Sequence, residues 1–304
     1  MKIAYAGTPE YAVAPLKALI DKGYDVVAVI TQPDKPVGRK RILTPSPVKA
    51  FAQGVGVSVY DFEKIRDNVE EVKGIGADLL ITCAYGQLLT DPILKAFPMG
   101  VYNLHASLLP LYRGASPIQS AIIAGEKYTG VTVMRTELKL DCGDILLVKR
   151  CEIGDRTYGE LSDELSALSA IAAVETVGIL SKGEPQLLLQ DEAKATFCKK
   201  INKADGKVDF SKSAKQVANL INAFSPAPAA FCSLDKAQVN LLKATPCEGC
   251  GEVGTVIKAD KGGIVVACGE GAVNVLSLQF AGGKPLKAAD AVNGRKIKVG
   301  DRLD

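Results

Sequence analysis

The chain has 304 residues, of which 47% are hydrophobic and 23% charged, and its 37 Lys and Arg against 34 Asp and Glu leave a net charge of +3. That length argues for two domains of ordinary size and excludes a lone small module or a fibre. The composition allows a core without disulfide staples, and the small charge excludes histone-like coating of polyanions, so any nucleic-acid contact must come from a local patch.

Met1 to Tyr5 runs directly into an apolar strand pattern without a basic leader or a small-residue cleavage site. No apolar run reaches the roughly 18 residues that would cross a membrane. Eight scattered cysteines in a chain of this size, with no N-x-[ST] sequon, fit a reducing cytoplasm. His105 is the only histidine, so every imidazole-dependent mechanism must pass through it.

In chain order, Lys2 to Ala6, Asp25 to Thr31, Val57 to Tyr60, Asp78 to Cys83 and Gly100 to Leu104 read as short buried strands. Helical segments separate them. Tyr11 to Lys22 has apolar residues at helical spacing and ends on Gly23, and Ser46-Pro47 opens a second helix. Continuous apolar strands alternating with helices predict an α/β domain built on a doubly wound, mostly parallel sheet, a Rossmann-like architecture. Gly130 to Arg135 and Ile145 to Arg150 read as paired strands, followed by a long helix from Gly159 to Leu180. Beyond a polar stretch, the helix Ser213 to Phe224 precedes short strand-like runs punctuated by glycine, a pattern that predicts a small β-barrel. The expected division is a first domain over 1–188, a linker over 189–205 and a second domain over 206–304. The last hundred residues hold 13 basic and 10 acidic side chains, leaving the first part neutral. Within that neutral part lies an acid-free stretch carrying Lys35, Arg39, Lys40, Arg41 and Lys49 among Pro and Gly.

The segment VYNLHASLLPLYRGASPIQ starts at the carboxyl end of a predicted strand, where open α/β sheets place their sites. Asn103 and His105 lie two apart, hence on one face of that strand. An Asn amide can donate to an oxyanion without ionising, and an imidazole can donate, accept or shuttle a proton. A carboxylate to orient the imidazole can come from L-D-C-G-D, in which Asp141 and Asp144 are equal candidates on residue type and spacing. Arg113 is a candidate for a substrate carboxylate or phosphate, or for closing its own loop. Cys247-Glu248-Gly249-Cys250 has metal-ligand spacing but lacks the further ligands of a structural zinc site. Neither G-x-G-x-x-G nor a P-loop occurs, which argues against NAD and ATP.

At AYAGTPEYA, TQPDKPVGR, AYGQLL, NLHASLLPLYRGASPIQ, TGVTVM and LDCGDIL the chain resembles the methionyl-tRNA formyltransferases, within the wider folate-dependent formyltransferases. The resemblance continues through INKADGKVDFSKSA, INAFSPAPAAF and GKPL, so it spans nearly the whole chain. It implies formyl transfer from 10-formyltetrahydrofolate to the α-amino group of initiator methionyl-tRNA, in the cytoplasm, by a monomer needing no metal. By matched position, Asn103 would hold the formyl oxygen, His105 would manage protons and Asp141 would orient His105. Ser107, Leu108, Leu109 and Pro110 would line one wall of the folate pocket, and Ala84, Tyr85 and Gly86 the other. The basic stretch, with Lys35, Arg39, Lys40, Arg41 and Lys49, would meet the tRNA acceptor arm, with Arg41 expected to read it, and an OB-like second domain would add backbone contacts. The chain departs from the family at Phe224 to Pro228, where Asn-Pro-Trp-Pro is common, and at Ala106, where Pro or Gly often follows the histidine. Two other readings stay open: formyl transfer to a small amine such as a nucleotide sugar or glycinamide ribonucleotide, and a tRNA-binding module without catalysis.

Overall fold

The computed structural model describes residues 1–38 and 40–304; Arg39 lies outside the described residues. The chain forms two compact units, one of residues 1–114, 129–151 and 162–197, the other of residues 115–128, 152–161 and 198–304. Two short segments that the division in sequence assigns to the first domain thus cluster with the second unit.

The first unit is built on a seven-stranded sheet. Its strands include β1 (Lys2–Gly7), β2 (Asp25–Thr31), and, after the hairpin strands β3 (Lys35–Val37) and β4 (Ile42–Thr44), β5 (Ser58–Asp61), β6 (Leu79–Cys83) and β7 (Val101–His105). After β8 (Arg113–Gly114) come β9 (Tyr128–Arg135) and β10 (Ile145–Glu152), and the sheet order is β10-β9-β7-β6-β1-β2-β5. From β1 the chain winds outward through β2 to β5, then returns to the other side of β1 with β6 and β7, all in parallel pairs. The expected doubly wound α/β fold is thereby realised, with its switch of direction between β1 and β6. β6 is buried along its whole length and β1 from its second residue on, which is why LLITC and IAYAG read as unbroken apolar runs.

β9 pairs antiparallel to β7, setting Thr132 opposite His105 and Met134 opposite Asn103. Gly130 is required on this strand, since a Cβ there would lie 2.0 Å from the Lys149 carbonyl oxygen. Within residues 162–197 the helix buries Leu165, Ala172, Ala173 and Val177. Its Ser166 hydroxyl donates to the Tyr11 carbonyl at 2.7 Å.

In the second unit the strands Ala230–Leu234, Ala237–Cys247, Ala272–Phe280, Gly263–Ala267 and Val256–Asp260 are neighbours in that order, and each consecutive pair is antiparallel. The two ends of the sheet are joined through the last residues of the chain. Leu303 bridges Leu234 of the first strand, Arg302 bridges Thr255 beside the last, and Ser233 and Asp304 exchange both backbone hydrogen bonds. These bridges cover part of the backbone that the two edge strands would otherwise leave unpaired. The helix Ala214–Phe224, opened by a Ser213 and Gln216 capping box, lays Val217, Ala218, Ile221 and Phe224 against this sheet.

Leu303 is 2% exposed and its amide donates to Gly254 at 2.8 Å. Leu303→Ala should cost about 2 to 5 kcal/mol, the range for truncating a buried leucine, read as a lower denaturation midpoint of the second unit in urea.

Candidate active site

The site is built where the parallel strands β6 and β7 end. Their register sets Thr82 beside Asn103, and the Thr82 hydroxyl donates to Asn103 Oδ1 at 2.9 Å. That bond fixes which way the amide faces and leaves its two N–H groups to donate elsewhere. His105 closes the strand, 6% exposed, on the same face as Asn103. A carbonyl can only accept, so the 3.0 Å contact from His105 Nε2 to the Tyr112 oxygen puts a proton on Nε2. Nδ1 is then the nitrogen free of that bond, and Asp141 Oδ2 lies 3.7 Å from it.

Of Asp141 and Asp144, it is Asp141 whose carboxylate lies beside His105, and the Asp144 main-chain carbonyl accepts from the Arg135 amide at 2.8 Å. Asp141 has a φ of +49°, unusual for a residue with a side chain, and its Oδ2 accepts from the Gly114 amide at 2.8 Å. Gly143 is what allows so tight a turn, because a Cβ there would fall 1.7 Å from the Arg135 carbonyl oxygen.

The segment from Ser107 to Pro110 is folded by Thr132, the residue opposite His105 on β9. Its hydroxyl donates to the Ser107 carbonyl at 2.7 Å and accepts from the Leu109 amide at 3.1 Å. The Ser107 hydroxyl in turn donates to the Leu111 carbonyl at 2.6 Å. Leu109 packs with Met134 and Ile145, and Leu108 lies over Gly130. Opposite, Ala84 and Gly86 both have positive φ, and the Tyr85 carbonyl accepts from Thr8 Oγ1 at 2.9 Å and from Gln32 Nε2 at 3.0 Å. The Tyr85 hydroxyl is buried without a hydrogen-bond partner, and burial pushes its pKa up. The two walls expected for a folate therefore leave adjacent strands at one edge of the sheet. Their backbone is fixed by protein hydrogen bonds, and the Tyr85 ring packs in the core cluster with Phe62, Ile65 and Ile93.

Arg113 is not available to a substrate. It is 2% exposed, and its guanidinium donates to both carboxylate oxygens of Glu192, at 3.0 and 2.6 Å, and twice to Gln190 Oε1. The basic stretch is a hairpin rather than an irregular loop: Lys35 faces Thr44 and Val37 faces Ile42. Lys40 and Arg41 sit exposed at its turn, Arg41 with a φ of +49°. Lys49 stands apart from them, its ammonium held by Asp34 at 2.7 Å and Asp61 at 2.6 Å, which raise its pKa. Lys35 Nζ donates to Gln32 Oε1 at 2.5 Å, so the hairpin base is tied to the Tyr85 wall through Gln32. Thr82, Tyr112, Thr132 and Gln190 are residues that sequence reasoning missed; only the place of Thr82 at the end of a buried strand, one strand before Asn103, could have signalled any of them. Among the described residues no three of His, Cys, Asp and Glu converge to hold a metal ion, and none of the helices is long and apolar enough to cross a membrane.

The formyl transferase model matches residues 1–177 and the formyl transferase C-terminal domain model residues 200–296. A methionyl-tRNA formyltransferase of Chromobacterium violaceum is 43% identical over 307 aligned residues, covering 100% of this chain and 99% of its own length. The chain belongs to the methionyl-tRNA formyltransferase family. Among solved structures, an N-formyltransferase of Helicobacter canadensis, in complex with folinic acid and dTDP-3-aminofucose, is similar with a TM-score of 0.70 at 18% identity, covering 90% of this chain and 98% of its own. A methionyl-tRNA formyltransferase of Clostridium thermocellum has a TM-score of 0.57 at 16% identity, covering 81% and 93%. At those identities the likeness concerns the fold.

Thr82 sets the amide of Asn103, so Thr82→Val should slow formyl transfer about two- to twelvefold, the worth of one hydrogen bond, with little change in melting temperature. Steady-state assay beside thermal denaturation checks both halves.

Proposed function

We propose that the chain transfers the formyl group of 10-formyltetrahydrofolate to the α-amino group of initiator methionyl-tRNA, with Asn103, His105 and Asp141 as its catalytic residues. The observation that carries this reading is the convergence of an oriented amide, an imidazole with a defined tautomer and a carboxylate 3.7 Å from that imidazole, at the carboxyl edge of the sheet. The donor supplies an activated formyl carbon. Asn103, aimed by Thr82, donates to the formyl oxygen as negative charge develops on it. His105 Nδ1 takes the proton that the attacking amine loses and gives it to N10 of the departing tetrahydrofolate as the bond from N10 to the formyl carbon breaks, and Asp141 stabilises the imidazolium between the two transfers. A separation of 3.7 Å is compatible with this role, since catalytic hydrogen bonds often tighten only in the complex with substrate. Water is kept away from His105 by its burial under the Ser107 to Tyr112 segment.

Ser107, Leu108, Leu109 and Pro110 on one side and Ala84, Tyr85 and Gly86 on the other hold the folate, the first group through apolar contact and fixed backbone. The hairpin meets the tRNA acceptor arm through Lys35, Lys40 and Arg41, and Arg39, outside the described residues, is proposed for the same contact on its charge. Lys49, paired with two aspartates, serves the hairpin base instead. A guanidinium can make two directed bonds where an ammonium acts as a point charge, which favours Arg41 as a base reader and Lys40 as a phosphate contact. The same proposal has the chain act in the cytoplasm as a monomer, a setting in which eight thiols suit a reducing compartment.

Formylation of initiator and elongator methionyl-tRNA, with a nucleotide aminosugar as the competing amine, tests the reading. Initiator tRNA should be formylated best, and transfer to the aminosugar alone would overturn it. Asn103→Ala or His105→Ala should cost about 2.7 to 4 kcal/mol of transition-state stabilisation, the loss of one oxyanion donor, while stability holds. Asp141→Asn should be as severe and Asp144→Asn mild. For the hairpin, Lys40→Ala should weaken binding to both tRNAs and reduce the slope of log K against log salt by about 0.7 to 0.9. Arg41→Ala should instead narrow the preference for initiator tRNA, by about 1 to 3 kcal/mol.

A further inference from the structure

Asp141 has to hold a carboxylate toward His105 from a backbone conformation that a residue with a side chain rarely adopts. Such a conformation persists only where its surroundings over-determine it. The turn lies outside regular secondary structure, and beside the Gly114 and Arg135 amides it has a further restraint from a side chain. It comes from Gln190. The Ile145 and Leu188 backbones exchange two hydrogen bonds at 2.8 Å, running residues 187–190 alongside the start of β10. Two residues beyond Leu188, Gln190 Nε2 donates to the carbonyl of Asp141 at 3.0 Å and to that of Gly143 at 2.7 Å. One amide nitrogen therefore grips the turn on both sides of Cys142.

Gln190 is itself held. Its Oε1 accepts from Arg113 Nε at 3.2 Å and Nη2 at 2.8 Å, which fixes the amide so that only its nitrogen can face the turn. Arg113 in turn is buried, its fork closed on the Glu192 carboxylate and its guanidinium 6.0 Å from the Phe197 ring centroid. The next residue after Arg113 is Gly114, whose amide donates to Asp141 Oδ2. The same buried guanidinium therefore stands behind both restraints, the backbone grip through Gln190 and the carboxylate grip through Gly114.

We propose that Gln190, oriented by Arg113, is a positioning residue for the transfer reaction: it sets Asp141 against His105 without touching either substrate. This inference rests on the assignment of Asp141 as a catalytic residue. Misplacing a catalytic group by about 1 Å can cost on the order of 100-fold, so the restraint is worth a measurable part of the rate.

The test is a double-mutant cycle on the full chain, in single turnover at high enzyme concentration so that slow variants remain measurable. Gln190→Glu keeps acceptors for Arg113 and loses both bonds to the turn; Gln190→Met, of similar volume and uncharged, is the second variant. Each should lower the transfer rate about 10- to 100-fold, leave KM for 10-formyltetrahydrofolate and methionyl-tRNA within about twofold, and leave the melting temperature nearly unchanged. In an Asp141→Asn background the same substitutions should change the rate less than about twofold, because the group they position is already lost. Rates within about twofold of the parent chain in both single variants would overturn the proposal, as would an equal fall with and without Asp141, the mark of a merely structural role. If Asp141→Asn alone leaves transfer intact, it is the assignment of Asp141 that fails.

Discussion

The parallel pairing of β6 with β7 is the constraint on which the site depends. It puts a buried threonine hydroxyl beside the Asn103 carboxamide, and it releases the 84–86 and 107–110 segments from neighbouring strands at one edge of the sheet. In an open α/β sheet that edge is where the chain can leave without spoiling the hydrogen-bond ladder, so polar side chains can gather there over an apolar floor. Antiparallel β9 then adds what a parallel neighbour in the same place would not. It brings Thr132 opposite His105, so one hydroxyl can serve as donor and acceptor to the segment that covers the imidazole.

Among the described residues the buried guanidinium of Arg113 is paired. Arg113 would be costly inside the protein without the Glu192 carboxylate, whose pKa it lowers; Glu192 is itself exposed, so it is the loss of Glu192 that would leave the buried guanidinium without its counter-charge. The pair also gives the Gln190 amide a fixed orientation. Charge pairing at Lys49 does a similar thing for the hairpin. Asp34 precedes the hairpin and Asp61 ends β5, so one ammonium ties the hairpin base to the sheet while its turn stays exposed. A hairpin on a fixed base has less conformational freedom to lose than one that is loose throughout.

Much of this was legible in the sequence because it is local. Five apolar runs and the helices between them gave the parallel sheet, since strands buried on both faces must be apolar throughout. The two-residue spacing of Asn103 and His105 placed both on one face of a strand, and the motifs around them carried the resemblance to the methionyl-tRNA formyltransferases. The hairpin was legible only as a basic, turn-rich stretch, because three-residue strands paired far from the core leave no clear alternation.

What the sequence determined by itself, then, was the set of elements, the direction of the strands and the residue types able to do the chemistry, all of which follow from periodicity and side-chain functional groups. Tertiary structure decided which of two aspartates reaches the histidine, which nitrogen of that histidine carries the proton, and that Arg113 is spent on Glu192 and Gln190. It decided too that the final residues of the chain close the barrel. Each of those depends on groups between 7 and 79 positions apart in the chain, or on backbone carbonyls that carry no mark of residue type. A hydrogen bond to a carbonyl can be offered by almost any sequence, so only the folded chain says where it forms.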